Sequence, residues 1–423
     1  MWTLREGGEG QVIAPDERLA TPAMLGLGAQ HVLAMFGSTA LVPVLTGFPV
    51  TTTLLFSGIG TLLFVLITGN KVPSYTGSSF AFIAPVLAAK ADGGIPAALG
   101  GILVSGVVLA LLGLLIDRAG YRVVEFLLPP VVTGAIVAVI GLNLAPVAKT
   151  EFSQQAGIAL FTLAAILLAT VGLRGLAGQL SVFLGVAAGY VFAAILGKVD
   201  WTNVHKADWF GLPDLTTPTF DGHAILLIVP AVVIVLIAEN AAHVKAVSAM
   251  TDHDLDPLIG RSIMADGAAT TLAGAFGGSG TTTYAENIGV MGLTRVYSTL
   301  AYIIAGAIAI GLSLFPKFGA VISAIPVGVL GGAVTVLFGL IAVLGARIWV
   351  QNRVDFRDPV NLTTAGVALV VGAGDYTLNW GDYTFGGIAL GTFGAIVVYQ
   401  VLRAVSATKP SPPTAPATDP ETR

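Results

Sequence analysis

The chain has 423 residues, of which 55% are hydrophobic and only 10% are charged, and its mean hydropathy is +0.87. Soluble domains carry about 25% charged residues, so this composition excludes a soluble globular protein and predicts an integral membrane protein. The sequence contains no cysteine, which excludes disulfides and thiolate metal sites, and its formal net charge of −4 says little when most of the surface faces lipid.

The two ends of the chain are polar. The opening stretch, MWTLREGGEGQVIAPDER, lacks the apolar core of a signal peptide, and residues 1–20 are predicted to be a cytoplasmic N-terminal tail. The last stretch is rich in proline and threonine, and residues 406–423 are predicted to be a disordered cytoplasmic tail.

Between the tails, apolar runs separated by charged residues or by Gly and Pro predict about fourteen membrane crossings. Their centres fall near residues 33, 59, 82, 105, 133, 164, 187, 233, 267, 288, 306, 334, 366 and 393, and the third and tenth crossings are short and interrupted. A polar loop at 200–221 divides the chain into two halves of seven crossings. Because an odd-numbered repeat must be inverted in the membrane, we predict an all-α membrane protein with a 7+7 inverted repeat.

Weak similarity between the halves supports this repeat. The stretch Pro73–Phe80 in the third crossing resembles Thr282–Gly289 in the tenth, and Ala29-Gln30 resembles Ala238-Glu239. Interrupted segments in matching positions of two halves are the best sequence indicator of a transport site. We therefore expect the site where the third and tenth crossings meet, each as a short strand followed by a half-helix.

The distribution of lysine and arginine predicts the orientation. With fourteen crossings, fifteen of these residues fall on one side of the membrane and five on the other. Cationic loops stay in the cytoplasm, so both termini are predicted to be cytoplasmic.

Three of the ionisable residues inside apolar crossings are the main candidates for function. Glu239 and His243 are four residues apart in the eighth crossing and so share one helix face, while Glu286 opens the half-helix of the tenth, where the helix dipole favours a carboxylate. Ionisable residues in such segments are rare and usually face a transport pathway, so we predict function for all three rather than a structural pair or a helix cap. Because two carboxylates in a low-dielectric site repel each other, one of them is expected to carry a proton during the cycle.

Other polar or aromatic residues leave two interpretations open. Ser79 and Phe80 open the half-helix of the third crossing, where free backbone N–H groups can bind a carbonyl oxygen. The Phe80 ring is either a stacking surface for a planar ligand or a core aromatic, and Asn287 is either a ligand contact or a cap. Gln30 and His31 in the first crossing are either ligand contacts or structural residues.

Asp266 in the ninth crossing is predicted to bond neighbouring helix ends. The sequence has no Walker loop, HExxH, GxSxG or metal cluster, so it gives little support to an enzyme.

Together these residues resemble the nucleobase–ascorbate transporter family, also called nucleobase:cation symporter-2, and within it the bacterial uracil and pyrimidine permeases. The family signature is similar to Glu/Gln-Asn-x-Gly-x4-Thr-Arg/Gly, and it stands here as Glu286-Asn287-Ile288-Gly289 followed by Thr294-Arg295. The stretches SYTGSSFAF and AQHVLAMFGSTALVP resemble the same branch, and the resemblance covers about residues 20–405.

The resemblance implies a fold of two domains. Its core domain would comprise crossings 1–4 and 8–11, and its gate domain crossings 5–7 and 12–14. In this chain the core corresponds to residues 21–118 and 222–316, and the gate to residues 119–199 and 317–405, with an extracytoplasmic loop at 200–221. It also implies a multi-pass protein of the bacterial cytoplasmic membrane, in contact with lipid and dimeric through the gate domain.

The resemblance also implies roles for single residues. The proton-coupling residues would be Glu239, His243 and Glu286, and the gate aromatic would be Phe338. Together with the residues chosen from the pattern, the predicted substrate-binding set is Glu239, Glu286, Phe80, Ala285, Tyr284, Ser79 and Asn287.

The implied function is proton-coupled import of uracil or a related pyrimidine by alternating access, with protons as the coupling ion, no other cofactor and no nucleic-acid partner. Uracil permeases often have His after the Glu of the eighth crossing and Gly before its His, whereas this chain has Asn240 and Ala242. The choice among uracil, thymine and xanthine therefore stays open. A xanthine permease of the same family, an anion transporter on the same fold and a channel remain alternatives.

Overall fold

The computed structural model describes residues 2–5, 11–380 and 383–407. The elements of the first half of the chain are β1 (Thr3–Leu4), β2 (Glu17–Arg18), α1 (Thr21–Thr46), α2 (Val50–Ile67), β3 (Thr76–Ser78), a 3₁₀ turn (Phe80–Phe82), α3 (Ile83–Ala119), α4 (Arg122–Leu127), α5 (Pro130–Asn143), α6 (Ala145–Gln154), α7 (Ala156–Gly172), α8 (Gly175–Gln179), α9 (Ser181–Ile195) and α10 (Thr202–Lys206).

The second half begins with the longest uninterrupted apolar helix after the loop at 200–221. Its elements are α11 (Gly222–Thr251), a 3₁₀ turn (Asp256–Leu258), α12 (Ile259–Phe276), β4 (Thr281–Thr283), α13 (Ala285–Thr294), α14 (Thr299–Ser313), α15 (Pro316–Ser323), α16 (Val327–Gln351), α17 (Pro359–Ala373), β5 (Leu378–Trp380), β6 (Tyr383–Phe385) and α18 (Gly387–Ala407). The predicted C-terminal tail lies outside the described residues from 408 onwards.

Many of these helices suit a membrane. Within the described ranges, seven helices are long and apolar enough to cross it, or eight if α14 and α15 form one span bent by 88°. Four shorter apolar helical stretches accompany them: Phe80–Ala91, α7, α9 and α17. Each predicted crossing centre falls in a helix or in a strand–helix segment that begins at β3 or β4. The protein is therefore a multi-span, mostly helical membrane protein.

The two interrupted segments meet as a short antiparallel ribbon. β3 pairs with β4, with Gly77 opposite Thr282 at the centre. Beyond the strands, the Ser79 N–H donates to the Gly280 carbonyl at 2.9 Å. All six strand residues are buried. Because a buried backbone group needs a hydrogen-bond partner, the ribbon lets two segments leave the helical conformation inside the apolar interior.

Threonines on the two flanking helices hold the strands in equivalent ways. The Thr76 N–H donates to Thr61 Oγ1 of α2 at 3.1 Å, and the Thr281 N–H donates to Thr270 Oγ1 of α12 at 3.1 Å. Thr76 is therefore the counterpart of Thr281. The sequence similarity between Pro73–Phe80 and Thr282–Gly289 instead aligned Thr76 with Ala285, which is four residues after Thr281. That alignment is wrong.

The physical reason for the error is that the similarity depended on a tyrosine in each segment, Tyr75 and Tyr284, which do not occupy equivalent positions. In the observed register the first residue of the 3₁₀ turn, Phe80, corresponds to the first residue of α13, Ala285.

Helices α3 and α12 pack along glycines spaced seven residues apart. A β-carbon at any of these positions would overlap the backbone of the facing helix; they are Gly106 and Gly113 on α3, and Gly260, Gly267 and Gly274 on α12. Small residues at this spacing allow two helices in a membrane to approach closely. The range of α3 contains a break at Gly94, whose φ of 73° is not helical, and Gly106 and Gly113 lie on the helix after that break, while α12 leads into β4. The contact therefore packs the helix that follows the first half-helix against the helix that leads into β4.

The N-terminal region, predicted as a tail, folds onto the loop that follows α13. We call residues 2–5 and 11–18 the N-terminal strap. The Ile13 N–H donates to the Arg295 carbonyl at 3.0 Å, and the Tyr297 N–H donates to the Ile13 carbonyl at 2.8 Å. Ile13 is only 1% exposed. The strap therefore ties the end of α13 to the start of α14.

Glu17 is expected to stabilise the strap at neutral pH. It accepts hydrogen bonds from the Ala14 N–H at 3.1 Å and from Arg5 Nε at 2.7 Å, and these bonds hold the pKa of Glu17 below its usual value of 4.5. A carboxyl whose pKa is lowered by folding contributes stability above the unfolded value, and this stability is lost as the pH falls through the folded pKa. The strap should therefore loosen below about pH 4.5, and Glu17→Gln should reproduce that loosening at pH 7.

Thiol labelling can measure this loosening, because the chain has no cysteine of its own. In an Ile13→Cys background, Glu17→Gln is expected to speed maleimide labelling about 1.4- to fivefold, the range that an exposed ion pair of about 0.2–1 kcal/mol allows. The matched control is Val12→Cys, since Val12 is 51% exposed and its labelling should not respond to Glu17→Gln. An unchanged rate at Ile13→Cys would show that Glu17 does not hold the strap.

Candidate functional site

Helix α11 places two of the predicted residues against β4. Thr282 Oγ1 donates to Glu239 Oε2 at 3.3 Å, and His243 Nδ1 lies 2.8 Å from Thr283 Oγ1. Glu239 and His243 are one helical turn apart, and consecutive threonines of the strand bond to them. The structure thus brings Glu239 and His243 together on the face of α11 that the sequence predicted.

Glu286 approaches the same ribbon from another helix. It lies in the first turn of α13, where the helix dipole stabilises negative charge, and Ser38 Oγ of α1 donates to Glu286 Oε1 at 3.0 Å. Both Glu239 and Glu286 are half-buried. Two carboxylates from separate helices therefore share one small site beside the ribbon.

Tyr284 packs across the ribbon. Its hydroxyl donates to the Ser78 carbonyl at 2.9 Å and lies 2.8 Å from Thr39 Oγ1. A β-carbon at Gly77 would stand 2.6 Å from this hydroxyl, so glycine is required for the ring to lie there. Tyr284 is 3% exposed, and its hydroxyl is used inside the protein.

The two half-helices begin at opposite ends of the ribbon. Among the described residues the N–H groups of Phe80 and Ala285 have no hydrogen-bond partner, as expected for the first residues of a helix. Ser79 caps the first half-helix, since its Oγ accepts the Ala81 N–H at 3.2 Å. The side chain of Ser79 is thus occupied by the cap, while the neighbouring backbone donors stay free for a ligand.

An aromatic pair joins the half-helix of the third crossing to α16. The rings of Phe80 and Phe338 have centroids 5.7 Å apart and meet edge to face, and they are 9% and 2% exposed. The residue predicted to stack on a ligand thus contacts the residue predicted to be a gate aromatic.

Asn287 points away from the two carboxylates. Its Nδ2 lies 3.0 Å from both the carbonyl oxygen and Nδ1 of His31, and the His31 ring packs against the Tyr302 ring with centroids 4.4 Å apart and planes tilted by 36°. Asn287 and His31 are buried, so their contact joins α1, α13 and α14 behind the site.

Asp266 is buried on α12 behind Glu239. Asn240 Nδ2 donates to Asp266 Oδ2 at 3.3 Å, and Thr281 Oγ1 donates to Oδ1 at 3.4 Å. Asp266 therefore bonds neighbouring elements, α11 and β4, in line with the structural interpretation of this residue.

The sequence interpretation missed four hydroxyl residues that hold the predicted side chains: Ser38, Thr39, Thr282 and Thr283. A signal for the first existed, because Ser38 is seven residues after His31 and so lies on the same face of α1. For Thr282 and Thr283 the sequence indicates only that threonine favours a strand.

The arrangement offers two kinds of hydrogen-bonding group in one place. Glu239 and Glu286 supply carboxylate acceptors, and Phe80 and Ala285 begin helices with free N–H donors. Such a site is complementary to a small planar molecule that carries both N–H donors and carbonyl acceptors. An unpaired group in the buried site would cost about 1–3 kcal/mol, which allows discrimination between similar molecules.

Comparisons with known proteins show the family of this chain. The model of a family described as "Permease family" matches residues 23–380. The "Putative pyrimidine permease RutG" of Escherichia coli (strain K12) is 49% identical, covering 95% of this chain and 94% of its own length. The uracil permease of the same organism is 40% identical, covering 95% of this chain and 96% of its own length.

Solved structures with low identity show the fold. SLC26A9 has a TM-score of 0.67 at 12% identity, covering 92% of this chain and 66% of its own. The transmembrane domain of the cyanobacterial bicarbonate transporter BicA has a TM-score of 0.59 at 14% identity, covering 89% of this chain and 97% of its own. The relatives above 30% identity and the family match over most of the chain decide its identity. The chain belongs to the permease family, the nucleobase–ascorbate transporter family that its motifs resemble, and it is a membrane transporter rather than an enzyme.

Proposed function

We propose that this transporter is a proton-coupled symporter that imports uracil or a related pyrimidine. The observation that carries the proposal is the convergence of Glu239 and Glu286 beside a ribbon whose ends start two half-helices. The names of the relatives, uracil permease and pyrimidine permease, support the same substrate class.

The chemistry of the site suits a pyrimidine. Uracil has two ring N–H donors and two carbonyl acceptors. In the proposal, Glu239 and Glu286 accept the N–H groups, and the backbone N–H groups of Phe80 and Ala285 bind the carbonyls. Tyr284 closes one side of the site, and Ser79 and Asn287 shape the starts of the two half-helices.

Coupling in this proposal rests on the carboxylates. Glu239 is the main proton carrier and His243 is its partner one turn along α11, while the negative charge of Glu286 in the same site repels that of Glu239. Binding of a proton relieves that repulsion, so proton and substrate binding favour each other.

Alternating access completes the proposal. Fourteen spans in a 7+7 inverted repeat would form a core of residues 21–118 and 222–316 and a gate of residues 119–199 and 317–405, which move against each other near the Phe80–Phe338 contact. The transporter would lie in the bacterial cytoplasmic membrane with both termini inside, and would dimerise through the gate.

Uptake of radiolabelled uracil tests the proposal. Membrane vesicles containing the full chain should accumulate uracil when an inward proton gradient is imposed, and a protonophore should abolish the accumulation. An imposed gradient of one pH unit is worth about 1.4 kcal/mol per proton, so about tenfold accumulation is expected at most for one proton per uracil.

The same assay separates the alternatives. Uracil uptake that ignores the gradient would remove the coupling. Uptake of xanthine instead of uracil would assign the chain to the purine branch, and Asn240 would be the first residue to test. Sulfate or bicarbonate flux that competes with uracil would indicate an anion transporter on the same fold.

A further inference from the structure

A turn of α1 reaches the site and the neighbouring α9 at once. Ser38 and Thr39 are 2% and 0% exposed, and they face the start of α13. Two residues earlier, Phe36 meets Phe183 of α9 edge to face, with ring centroids 5.2 Å apart. This part of α1 is therefore held on both sides, and its hydroxyl groups have fixed positions.

The hydrogen bonds of this turn have a defined direction. Tyr284 has one hydroxyl hydrogen and donates it to the Ser78 carbonyl, so Thr39 must donate to Tyr284. Ser38 donates to Oε1 of Glu286 at 3.0 Å. Two adjacent hydroxyl groups of α1 thus bond to two residues at the start of α13, and each hydroxyl hydrogen is used in one of these bonds.

The bond from Ser38 fixes the carboxylate of Glu286. A carboxylate has two oxygens and rotates about its last side-chain bond unless a partner holds it. Ser38 occupies Oε1, the backbone N–H of Glu286 also bonds to its carboxylate, and no residue that the structure describes donates its side chain to Oε2. Glu286 therefore presents one defined oxygen to the site.

We propose that Ser38 is a positioning and specificity residue, which orients Glu286 so that Oε2 accepts a ring N–H of the transported pyrimidine. The inference rests on the proposed function and deepens it. Without the Ser38 hydroxyl, the carboxylate would have to be ordered when the substrate binds, which weakens binding. Removal of the hydroxyl would lower the affinity for ligands that donate to Oε2 of Glu286 and would not change the affinity for ligands that do not.

Binding of uracil, 1-methyluracil and 3-methyluracil to the purified full-length protein tests this role. Methylation removes one N–H, so one of the two analogues cannot donate to Glu286. Ser38→Ala is expected to lower uracil affinity about tenfold, the effect of about 1.4 kcal/mol. It should leave the affinity for that analogue unchanged, and Ser38→Thr should restore uracil binding, since threonine keeps the hydroxyl.

Ser279→Ala is the matched control. Ser279 is also a buried serine, 2% exposed, but its Oγ donates to Ser78 Oγ at 2.6 Å and to neither carboxylate. This variant should not change the ratio of uracil to methyluracil affinities. Equal losses for uracil and both analogues in Ser38→Ala, or no loss at all, would overturn the role of Ser38. Failure of the unaltered protein to bind uracil would instead overturn the proposed function.

Discussion

The Glu239→Gln variant is expected to lose uphill transport while it keeps a substrate site. Glutamine has nearly the same shape, and its carbonyl oxygen can still accept the bond from Thr282, but it cannot bind and release a proton. Without a coupled ion, transport of a neutral solute can only bring its concentrations on the two sides of the membrane to the same value. In vesicles with an imposed inward gradient of one pH unit, the accumulation ratio should therefore fall from about ten to about one.

Two measurements keep this expectation specific to coupling. Exchange of external labelled uracil for internal unlabelled uracil needs no net proton movement, so it should persist in Glu239→Gln. The matched control is Glu125→Gln, the same change at a carboxylate that is 45% exposed and pairs with Lys245 at 2.7 Å. An exposed ion pair contributes little, so this control should accumulate uracil normally. Protonophore-sensitive accumulation by Glu239→Gln would refute the role of Glu239 as the proton carrier.

Much of the site could be predicted because its main residues are conspicuous. An ionisable side chain inside an apolar run is costly, and Glu239, His243 and Glu286 stand out for that reason alone. Their meeting at the ribbon followed from the pairing of two interrupted crossings. The chemical class of the site is therefore predictable from the sequence alone.

The residues that hold these groups were harder to predict. Hydroxyls in membrane helices commonly bond to their own helix backbone, as Thr162 does with the Ile158 carbonyl. The sequence does not distinguish such a residue from Ser38, whose partner is 248 residues away. The correspondence between the two broken segments was mispredicted for a similar reason. Thr61 and Thr270, which bond to equivalent strand residues, lie on other helices, and the sequence does not show these contacts.

The N-terminal strap shows the limit of a compositional argument. The region is polar enough to predict a tail, yet the apolar side chain of Ile13 is almost completely buried. The strap forms because the Arg295 carbonyl accepts the Ile13 N–H and the Tyr297 N–H donates to the Ile13 carbonyl. Only the tertiary structure brings these groups within reach of the N-terminus.

The contact between α3 and α12 is expected to be the part of the fold least tolerant of substitution. A β-carbon at Gly267 would overlap the backbone nitrogen of Ala110, and backbone atoms cannot move aside as a flexible side chain can. The Gly267→Leu variant should therefore force the helices apart at a cost of more than about 3 kcal/mol, beyond the usual range for overpacked cores. We expect almost no monodisperse protein in size-exclusion chromatography after extraction in detergent.

The Gly366→Leu variant isolates the packing effect. Gly366 lies on α17, and a β-carbon there meets no other atom within 4 Å. Both variants gain about the same helix propensity on loss of glycine, so the difference between them reports the clash. Because α12 carries Thr270, which holds β4, the milder Gly267→Ala should fold in part and weaken uracil binding. If Gly267→Leu proved as stable as Gly366→Leu, close approach of α3 and α12 would not be what positions the two halves of the site.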